Sequence, residues 1–391
     1  MTSTVRTPKQ RLVALDILRG ITIAGMLLVN NPGSWSYVYA PLGHASWNGL
    51  TPTDLVFPFF MFIMGISTYI SLRKYNFEFT RHTAWKVVRR AVLIYLIGLV
   101  LAWISLSFRT WFATANDGLS FGSHLWTALT NFENIRLLGV FPRLGISYGF
   151  AALIGLLMNH KHIPYLIAGT LIGYLVLLLV GRGFEYNETN ILSVVDRAVL
   201  GVNHMYKDNG IDPEGLLSTI PAIAHVLIGF CFGRILLDKD KDITAKMMAL
   251  FRIGAVIMFA GFLLSYGCPI NKKVWSPSFV LVTCGMASLL LSLLIWVIDV
   301  KGYKKQFRFF EAYGVNPLFN YTLGTLLSIL LSYIRVPIGD KIVSLHGVIY
   351  NYGLHSWLGD YPSSLAYALL FVVVVWLCGY GLYKRNIYIK I

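Results

Sequence analysis

The feature that most constrains this chain is a series of ten hydrophobic runs, each about 16 to 25 residues long. An α-helix rises 1.5 Å per residue, so about 20 apolar residues cross the roughly 30 Å of hydrocarbon in a bilayer. The runs cover approximately residues 12–31, 54–72, 91–107, 143–158, 163–180, 216–233, 247–267, 278–298, 309–333 and 363–383. This pattern predicts an all-α fold, a polytopic membrane helix bundle with about ten transmembrane helices.

The composition agrees with a membrane protein and excludes two other classes of chain. Of the 391 residues, 56% are hydrophobic and 13% are charged, and the mean hydropathy is +0.63. A soluble chain would carry about a quarter charged residues, and a disordered chain would contain far fewer aliphatic and aromatic residues. The first run is not a cleavable signal peptide, because Asp16 and Arg19 interrupt it and no small-residue cleavage site follows it.

The formal net charge of +15 reports the topology of the chain. About two thirds of the 33 Lys and Arg residues fall in connections that share a side with both termini. Because cytoplasmic loops carry the excess of Lys and Arg, this bias places both termini in the cytoplasm, including a tail formed by residues 1–11. The same distribution removes the reason to expect a nucleic-acid partner.

The cysteines indicate neither a metal site nor a disulfide framework. They have no C-x-x-C or C-x-x-H spacing. They are Cys231, Cys268, Cys284 and Cys378. No repeat or polar linker divides the chain, so we expect residues 1–391 to form a single transmembrane domain without a metal.

Several polar residues fall inside the runs and need partners there. Asp16 and Arg19 lie three residues apart, on one helix face near the predicted cytoplasmic end. A charge in hydrocarbon costs roughly 2.5–3.5 kcal/mol, so both should face the bundle interior. They form either a structural ion pair or, through Arg19, part of a site for an anionic cofactor. Asn316 and Asn320, beside Pro317 in the ninth run, also require partners.

The connections predicted to lie outside, 32–53, 108–142, 181–215 and 334–362, hold most of the chemistry candidates. In the first of them, His44 can accept and return a proton near neutral pH. Asp54 opens the second run, where a carboxylate either caps free N–H groups or orients the His44 ring. Trp47 and its aromatic neighbours fit an interfacial belt.

Six segments, which follow one another along nearly the whole chain, resemble one enzyme family. They are RLVALDILRG (11–20), GHASWNGLTPTDLVFPFFMFIMG (43–65), FPRLGISY (141–148), DPEGLLSTI (212–220), NKKVWSPSFV (271–280) and DVKGY (299–303). In these segments the chain resembles the heparan-α-glucosaminide N-acetyltransferase family of transmembrane acetyltransferases. The long HASWNGLT segment, followed by DLVFP, carries most of the specificity of this resemblance.

The resemblance implies transfer of an acetyl group from cytosolic acetyl-CoA to the amine of an amino sugar on the extracytoplasmic side. It identifies His44 as the active histidine and Asn30 as a functional asparagine. The loop between them is a few residues longer than in the family, so Asn31 is the alternative to Asn30. The resemblance further implies a compact bacterial-type homologue that lacks the lumenal domain of the animal enzyme and is embedded in a bacterial inner membrane.

Two mechanisms satisfy the chemistry of such an acyl transfer. In the first, both substrates are bound together, His44 is the general base, and an amide such as Asn30 donates to the developing oxyanion. In the second, His44 itself carries the acetyl group and the reaction is ping-pong. We favour the first mechanism, in which Asp54 orients the imidazole of His44.

Residue chemistry also suggests where the two substrates would bind. The phosphates of acetyl-CoA require Arg or Lys, although the positive-inside bias explains the same residues. The candidates for this role are Arg19, Arg89, Arg90 and Arg234. Asp212 and Glu214 precede the sixth run and would attract a cationic amino sugar beside Trp47, unless they belong to a solvated acidic loop.

A rival interpretation is a membrane transporter of amino sugars or related small molecules that performs no acyl transfer. Ten spans, an Asp and an Arg inside the first run, and a ninth run interrupted by Pro317 would suit substrate passage. Both interpretations require the lipid bilayer, and a homodimer is compatible with either.

Overall fold

The computed structural model describes residues 12–115, 117–206 and 208–389, and the predicted cytoplasmic tail of residues 1–11 lies outside them. The helices are α1 (Val13–Asn30), α2 (Pro52–Leu72), α3 (Arg81–Ala113), α4 (Phe121–Thr130), α5 (Val140–Leu157), α6 (Ile163–Val180), α7 (Ile191–Val199), α8 (Leu216–Leu236), α9 (Ile243–Leu264), α10 (Pro277–Leu294), α11 (Arg308–Val315), α12 (Pro317–Tyr333), α13 (Leu345–Gly347), α14 (Ser356–Leu358) and α15 (Asp360–Lys384). A short antiparallel hairpin pairs β1 (Arg335–Ile338) with β2 (Lys341–Ser344).

Within these ranges, nine helices are long and apolar enough to cross a membrane. About two thirds of the apolar stretch of α1, α2, α5 and α8 is buried inside the protein, whereas only 17% is buried in α3 and α9. Helices α1, α2, α5 and α8 therefore lie at the centre of the bundle, and α3 and α9 present most of their surface outward. This arrangement confirms the predicted all-α polytopic bundle.

The predicted run 309–333 is not one continuous helix. It forms α11 and α12, which meet at Asn316, where φ is −125° and ψ is 59°. Pro317 explains the break, because proline restricts the residue before it and supplies no N–H for the helix ladder. Two asparagine side chains near the break donate to backbone carbonyls. Asn316 Nδ2 donates to Ile387 O (2.8 Å), and Asn320 Nδ2 donates to Tyr313 O (3.1 Å).

Close packing of α2 against α8 fixes the helix that carries Asp54 in its first turn. A Cβ atom on Gly65 would lie 2.0 Å from Val226 O, and one on Gly229 would lie 2.1 Å from Phe62 O. The two backbones thus touch where only glycine fits, as small residues permit in membrane bundles. This contact holds α2 rigidly along its length, and with it the carboxylate near its first turn.

The bundle has two chemically different ends. We call the end that contains residues 31–51, 181–215 and 265–276 the histidine end; there Asn271 Nδ2 donates to Asn48 Oδ1 (3.0 Å). We call the end that contains residues 73–80, 158–162 and 237–242 the basic end; there Arg73 Nη1 donates to Leu237 O (2.5 Å). The distribution of Lys and Arg predicts that the basic end faces the cytoplasm.

Candidate active site

The carboxylate of Asp54 performs both tasks that the sequence left open. Its Oδ2 accepts the backbone N–H groups of Thr51 (3.2 Å) and Ala45 (3.1 Å), and it completes a capping box at the start of α2. Its Oδ1 lies 2.7 Å from His44 Nδ1. Asp54 therefore caps its own helix and orients the histidine, and this double use explains why the side chain is only 1% exposed.

The ring of His44 contacts Asp54 through one of its two nitrogens. An ionised carboxylate can only accept hydrogen bonds, so chemistry assigns the ring hydrogen to Nδ1, which donates to Asp54. Nε2 then keeps its lone pair. The His44 side chain is 42% exposed, in contrast to the buried carboxylate behind it. The pair has the form of a base that is held in one tautomer by a buried acid.

Lys272 is the third charged member of this group, and our sequence analysis did not single it out. Its Nζ lies 3.4 Å from Asp54 Oδ1 and 3.2 Å from His44 Nδ1, and its side chain is 19% exposed. Burial lowers the pKa of Lys272, although the Asp54 and Glu214 carboxylates oppose that effect. The only signal in the sequence was its place in the NKKVWSPSFV segment.

Asp212 and Glu214 form a buried ion-pair cluster with Arg136. Arg136 Nη2 lies 2.6 Å from Asp212 Oδ1 and 2.6 Å from Glu214 Oε2. Burial acts to raise the pKa of Glu214, but the Arg136 and Arg143 guanidiniums outweigh it and hold the pKa below its usual range. Asp212 is fully buried and also accepts the N–H of Tyr206 (2.8 Å), so it is committed to structure. Glu214 is the more accessible of the two carboxylates.

Asn30 and Asn31 differ in what their side chains contact. Asn31 Nδ2 donates to Leu27 O (2.8 Å) and ends its own helix. Asn30 is exposed and hydrogen-bonds to Tyr321, which also interacts electrostatically with Glu214. Between the two, only Asn30 interacts with α12, through Tyr321. Among the described residues no hydrogen bond joins Asn30 to His44.

Trp47 is fixed at the same end by two contacts. Its ring stacks on Tyr186 with centroids 4.5 Å apart, and its Nε1 donates to Phe184 O (2.8 Å). Tyr186 in turn accepts a hydrogen bond from Lys273 Nζ (2.8 Å). The structure therefore brings Trp47, Lys273 and the His44 loop together at the histidine end.

At the basic end, a cavity of about 840 Å³ penetrates the bundle. Its basic lining residues are Arg19, Lys86, Arg89 and Arg90. Along α2 its wall runs from Leu72 to Phe60, which is about 18 Å at the helical rise and leaves about 9 Å to Asp54. The cavity thus leads from the basic end toward the histidine end.

Two of the predicted phosphate ligands, Arg89 and Arg90, line this cavity and form no ion pair with a carboxylate in the described ranges. Arg89 is exposed, and Arg90 packs over the Tyr148 ring at 4.8 Å. The buried Nε of Arg90 has no hydrogen-bond partner in the part of the chain that the structure describes.

The four predicted phosphate ligands do not form one cluster. Arg19 pairs with Asp16 (2.9 Å) and donates to Ser67 Oγ (2.7 Å), as expected for a structural ion pair, and it separates the first cavity from a second one of about 1130 Å³. Arg234 lines two smaller cavities of about 360 and 330 Å³ beside His160. The structure thus groups Arg89 with Arg90, and it places Arg234 elsewhere.

Comparisons with known proteins identify relatives of this chain. The family model described as heparan-alpha-glucosaminide N-acetyltransferase, catalytic, matches residues 11–267. The human heparan-alpha-glucosaminide N-acetyltransferase is 29% identical over 378 residues, covering 80% of this chain and 52% of the relative. The mouse protein of the same name is 27% identical over 455 residues, covering 99% of this chain and 62% of the relative.

The chain therefore spans between about half and three fifths of the length of these curated relatives. The matched range includes His44, Asp54, Arg90 and Glu214, whereas Lys272 lies just beyond it. Because the family model covers about two thirds of the sequence, this chain belongs to the heparan-α-glucosaminide N-acetyltransferase family.

Proposed function

We propose that this protein is a membrane-embedded N-acetyltransferase that moves an acetyl group from cytosolic acetyl-CoA to the amine of an amino sugar on the extracytoplasmic side. The observation that carries the proposal is the His44–Asp54 pair at one end of a bundle whose opposite end opens into a basic cavity. The name of the human and mouse relatives supports the reaction type and the acceptor class.

The basic cavity fits the donor substrate. Acetyl-CoA carries phosphates, which Arg and Lys recognise, and a long thioester-bearing arm that needs a narrow path. Arg89 and Arg90 stand at the cavity wall, and their guanidinium groups offer charged donors to phosphate oxygens. In this proposal Arg19 shapes the wall through its ion pair, and Arg234 contributes only at the separate cavity that it lines.

The reaction requires one base and one hydrogen-bond donor. The acceptor amine attacks the thioester carbonyl, the new C–N bond forms, the C–S bond breaks, and the CoA thiolate leaves and takes up a proton. His44 Nε2 receives the proton that the amine loses, and Asp54 stabilises the imidazolium that results. Asn30 donates to the oxygen that gains negative charge.

A covalent relay through His44 is the alternative route and predicts ping-pong kinetics. We favour the ternary complex because the same Nε2 then needs only to accept a proton. Initial-rate measurements at varied concentrations of both substrates separate the routes: intersecting reciprocal plots support the ternary complex, and parallel plots support acetyl-histidine.

The acceptor subsite lies at the histidine end in this proposal. Glu214, 15% exposed, offers a carboxylate to an ammonium group, and the Trp47–Tyr186 stack offers an aromatic surface to a sugar ring. Asp212 supports Glu214 indirectly by sharing Arg136 with it. The protein itself would reside in a bacterial plasma membrane, where it could assemble as a homodimer.

The experiment that tests this function measures CoA release and acetylated product from purified protein, acetyl-CoA and glucosamine. We expect wild type to form N-acetylglucosamine and His44→Gln and His44→Ala to lose at least about 10²-fold in rate. The matched control is His355→Gln, because His355 also pairs with an aspartate, Asp360 (2.8 Å), but lies outside the site. Equal rates for His44→Gln and wild type would remove His44 from the mechanism.

The same preparation distinguishes the transporter interpretation. A transporter would carry glucosamine into liposomes without consuming acetyl-CoA. Uptake of labelled glucosamine in the absence of acetyl-CoA, together with no CoA release in its presence, would contradict the proposed function.

A further inference from the structure

We propose that Lys272 is a positioning residue of the transfer site, whose ammonium group shares the Asp54 carboxylate with His44 and so keeps the imidazole available as a base at neutral pH. This inference rests on the proposed function, and it adds a residue that the mechanism above does not use. Lys272 is brought to the site by the connection between α9 and α10, which is distant in sequence from both other members.

The geometry places two nitrogen-bearing groups on one carboxylate oxygen. His44 Nδ1 lies 2.7 Å from Asp54 Oδ1, and Lys272 Nζ lies 3.4 Å from the same atom. The two nitrogens of His44 and Lys272 are themselves only 3.2 Å apart. A protonated histidine would therefore place two positive charges side by side against one negative charge.

The electrostatic consequence follows from the sign of each charge. A carboxylate beside a histidine favours the imidazolium, which has no lone pair on Nε2 and cannot act as a base. A lysine against that carboxylate provides the compensating charge and repels a second proton on the ring. Of the surrounding groups, Asp54 and Lys272 contact His44 directly, whereas Glu214 and Arg143 act on Lys272 with opposite signs.

The connection that carries Lys272 is held in place by buried contacts. Asn271 Oδ1 accepts the N–H of Val274 (3.1 Å), and Asn271 N donates to Ser276 Oγ (3.0 Å). Trp275, two residues after Lys273, is 1% exposed and adopts a left-handed φ of 54°. These contacts fix the backbone beside Lys272 instead of leaving it to a mobile loop.

The neighbouring lysine provides a matched control. Lys273 Nζ lies 2.8 Å from Asp208 Oδ2 and 2.8 Å from Tyr186 Oη, and within the described ranges it forms no hydrogen bond or ion pair with His44 or Asp54. Replacing either lysine by methionine removes one positive charge from the same connection. Only the replacement at position 272 removes the charge that faces the imidazole.

The first test compares pH–rate profiles of acetyl transfer for wild type, Lys272→Met, Lys272→Arg and Lys273→Met. We expect the acid limb of kcat/KM to move upward by about one pH unit in Lys272→Met, which is about a tenfold lower rate on the acid side. Lys272→Arg should retain the wild-type limb. Lys273→Met should also retain it, even if its KM for the amine changes. An unshifted limb in Lys272→Met would overturn the inference.

The second test does not depend on catalysis. Labelled histidine in the purified protein allows the protonation of the His44 ring to be followed by NMR, with His44→Gln used to assign the signal. We expect the midpoint of this titration to rise in Lys272→Met and not in Lys273→Met. An unchanged midpoint would contradict the role of Lys272. Absence of acetyl transfer in wild type, with the midpoint shifted as expected, would overturn the proposed function and leave the electrostatic coupling established.

Discussion

The two ends of the bundle handle charge in opposite ways. At the histidine end, the carboxylates of Asp54 and Asp212 are almost fully buried, and each is matched by short contacts to cations and backbone N–H groups. At the basic end, Arg89 and Arg90 line an open cavity, and the Nε of Arg90 has no partner among the described residues. The two carboxylates named at the histidine end are matched by partners, whereas the basic end presents accessible cations to a cavity.

This difference separates two kinds of work. Groups that act on developing charge are most effective when their geometry is fixed before the substrate arrives, because no reorganisation is then needed during reaction. A site for a large flexible anion needs accessible cations instead, and the positive-inside bias already supplies them. The histidine end therefore suits chemistry, and the basic end suits donor binding.

The largest expected effect concerns the pair at the histidine end. Asp54→Ala and His44→Ala should each lower the transfer rate by about 10²–10⁴-fold. His44→Ala removes the base, and Asp54→Ala removes the carboxylate that orients it. Asp54→Ala should also cost about 1–2 kcal/mol of folding stability through the lost cap, whereas His44→Ala should change stability by less than about 0.5 kcal/mol. Rates and thermal unfolding of both purified variants check this. Equal stability losses would contradict the double role of Asp54.

The second effect compares one arginine from each end. Arg136→Met should cost about 3–5 kcal/mol, because it leaves Asp212, 0% exposed, without its ion-pair partner. Arg90→Met should cost less than about 1 kcal/mol, since Arg90 packs over the Tyr148 ring and forms no ion pair within the described ranges. Thermal unfolding without substrate measures both. A larger loss for Arg90→Met would reverse the comparison between the ends.

The third prediction concerns Asp196, a buried carboxylate at the histidine end that is less fully hydrogen-bonded than Asp54 and Asp212. Burial and the Asp212 charge raise its pKa to about 6, and its Oδ2 has no partner within the described ranges. A raised carboxyl pKa means that the folded state holds the proton more tightly, so this group's contribution to stability falls as pH rises from about 4 to 6. Asp196→Asn should thus gain about 2 kcal/mol over wild type at pH 7.5 and little at pH 4.5. A variant less stable than wild type at pH 7.5 would contradict this.

The smallest effect concerns donor affinity at the basic end. Arg90→Gln should raise the KM for acetyl-CoA about tenfold at low salt, with kcat nearly unchanged, because a charge-assisted hydrogen bond to phosphate is lost. Arg81→Gln is the matched control, since Arg81 begins the same helix and is exposed. A KM that rises equally in both variants would indicate only a general charge effect.

The sequence predicted the features that depend on local pattern. Hydrophobic run length predicted most of the spanning helices, whereas His44 was selected by the resemblance of the HASWNGLT segment to the family and not by its spacing to Asp54. The break at Asn316 followed the position of Pro317, but whether the helix would kink or divide depended on partners such as Ile387.

Other features depend on residues that are far apart in the chain, and no local sequence pattern predicts them. Lys272 reaches Asp54 from 218 residues away, which is the difference between their sequence numbers. Arg136 was not selected because its partners, Asp212 and Glu214, meet it only in the folded bundle. The separation of Arg234 from Arg89 and Arg90 likewise follows from helix packing.

The most direct measurement uses sealed liposomes that contain the purified protein, with acetyl-CoA and glucosamine placed either on opposite sides or together outside. A bundle that takes the donor at one end and the amine at the other should form product only when the substrates are on opposite sides, regardless of how the protein is inserted. Product formed as rapidly with both substrates outside would contradict the two-ended site.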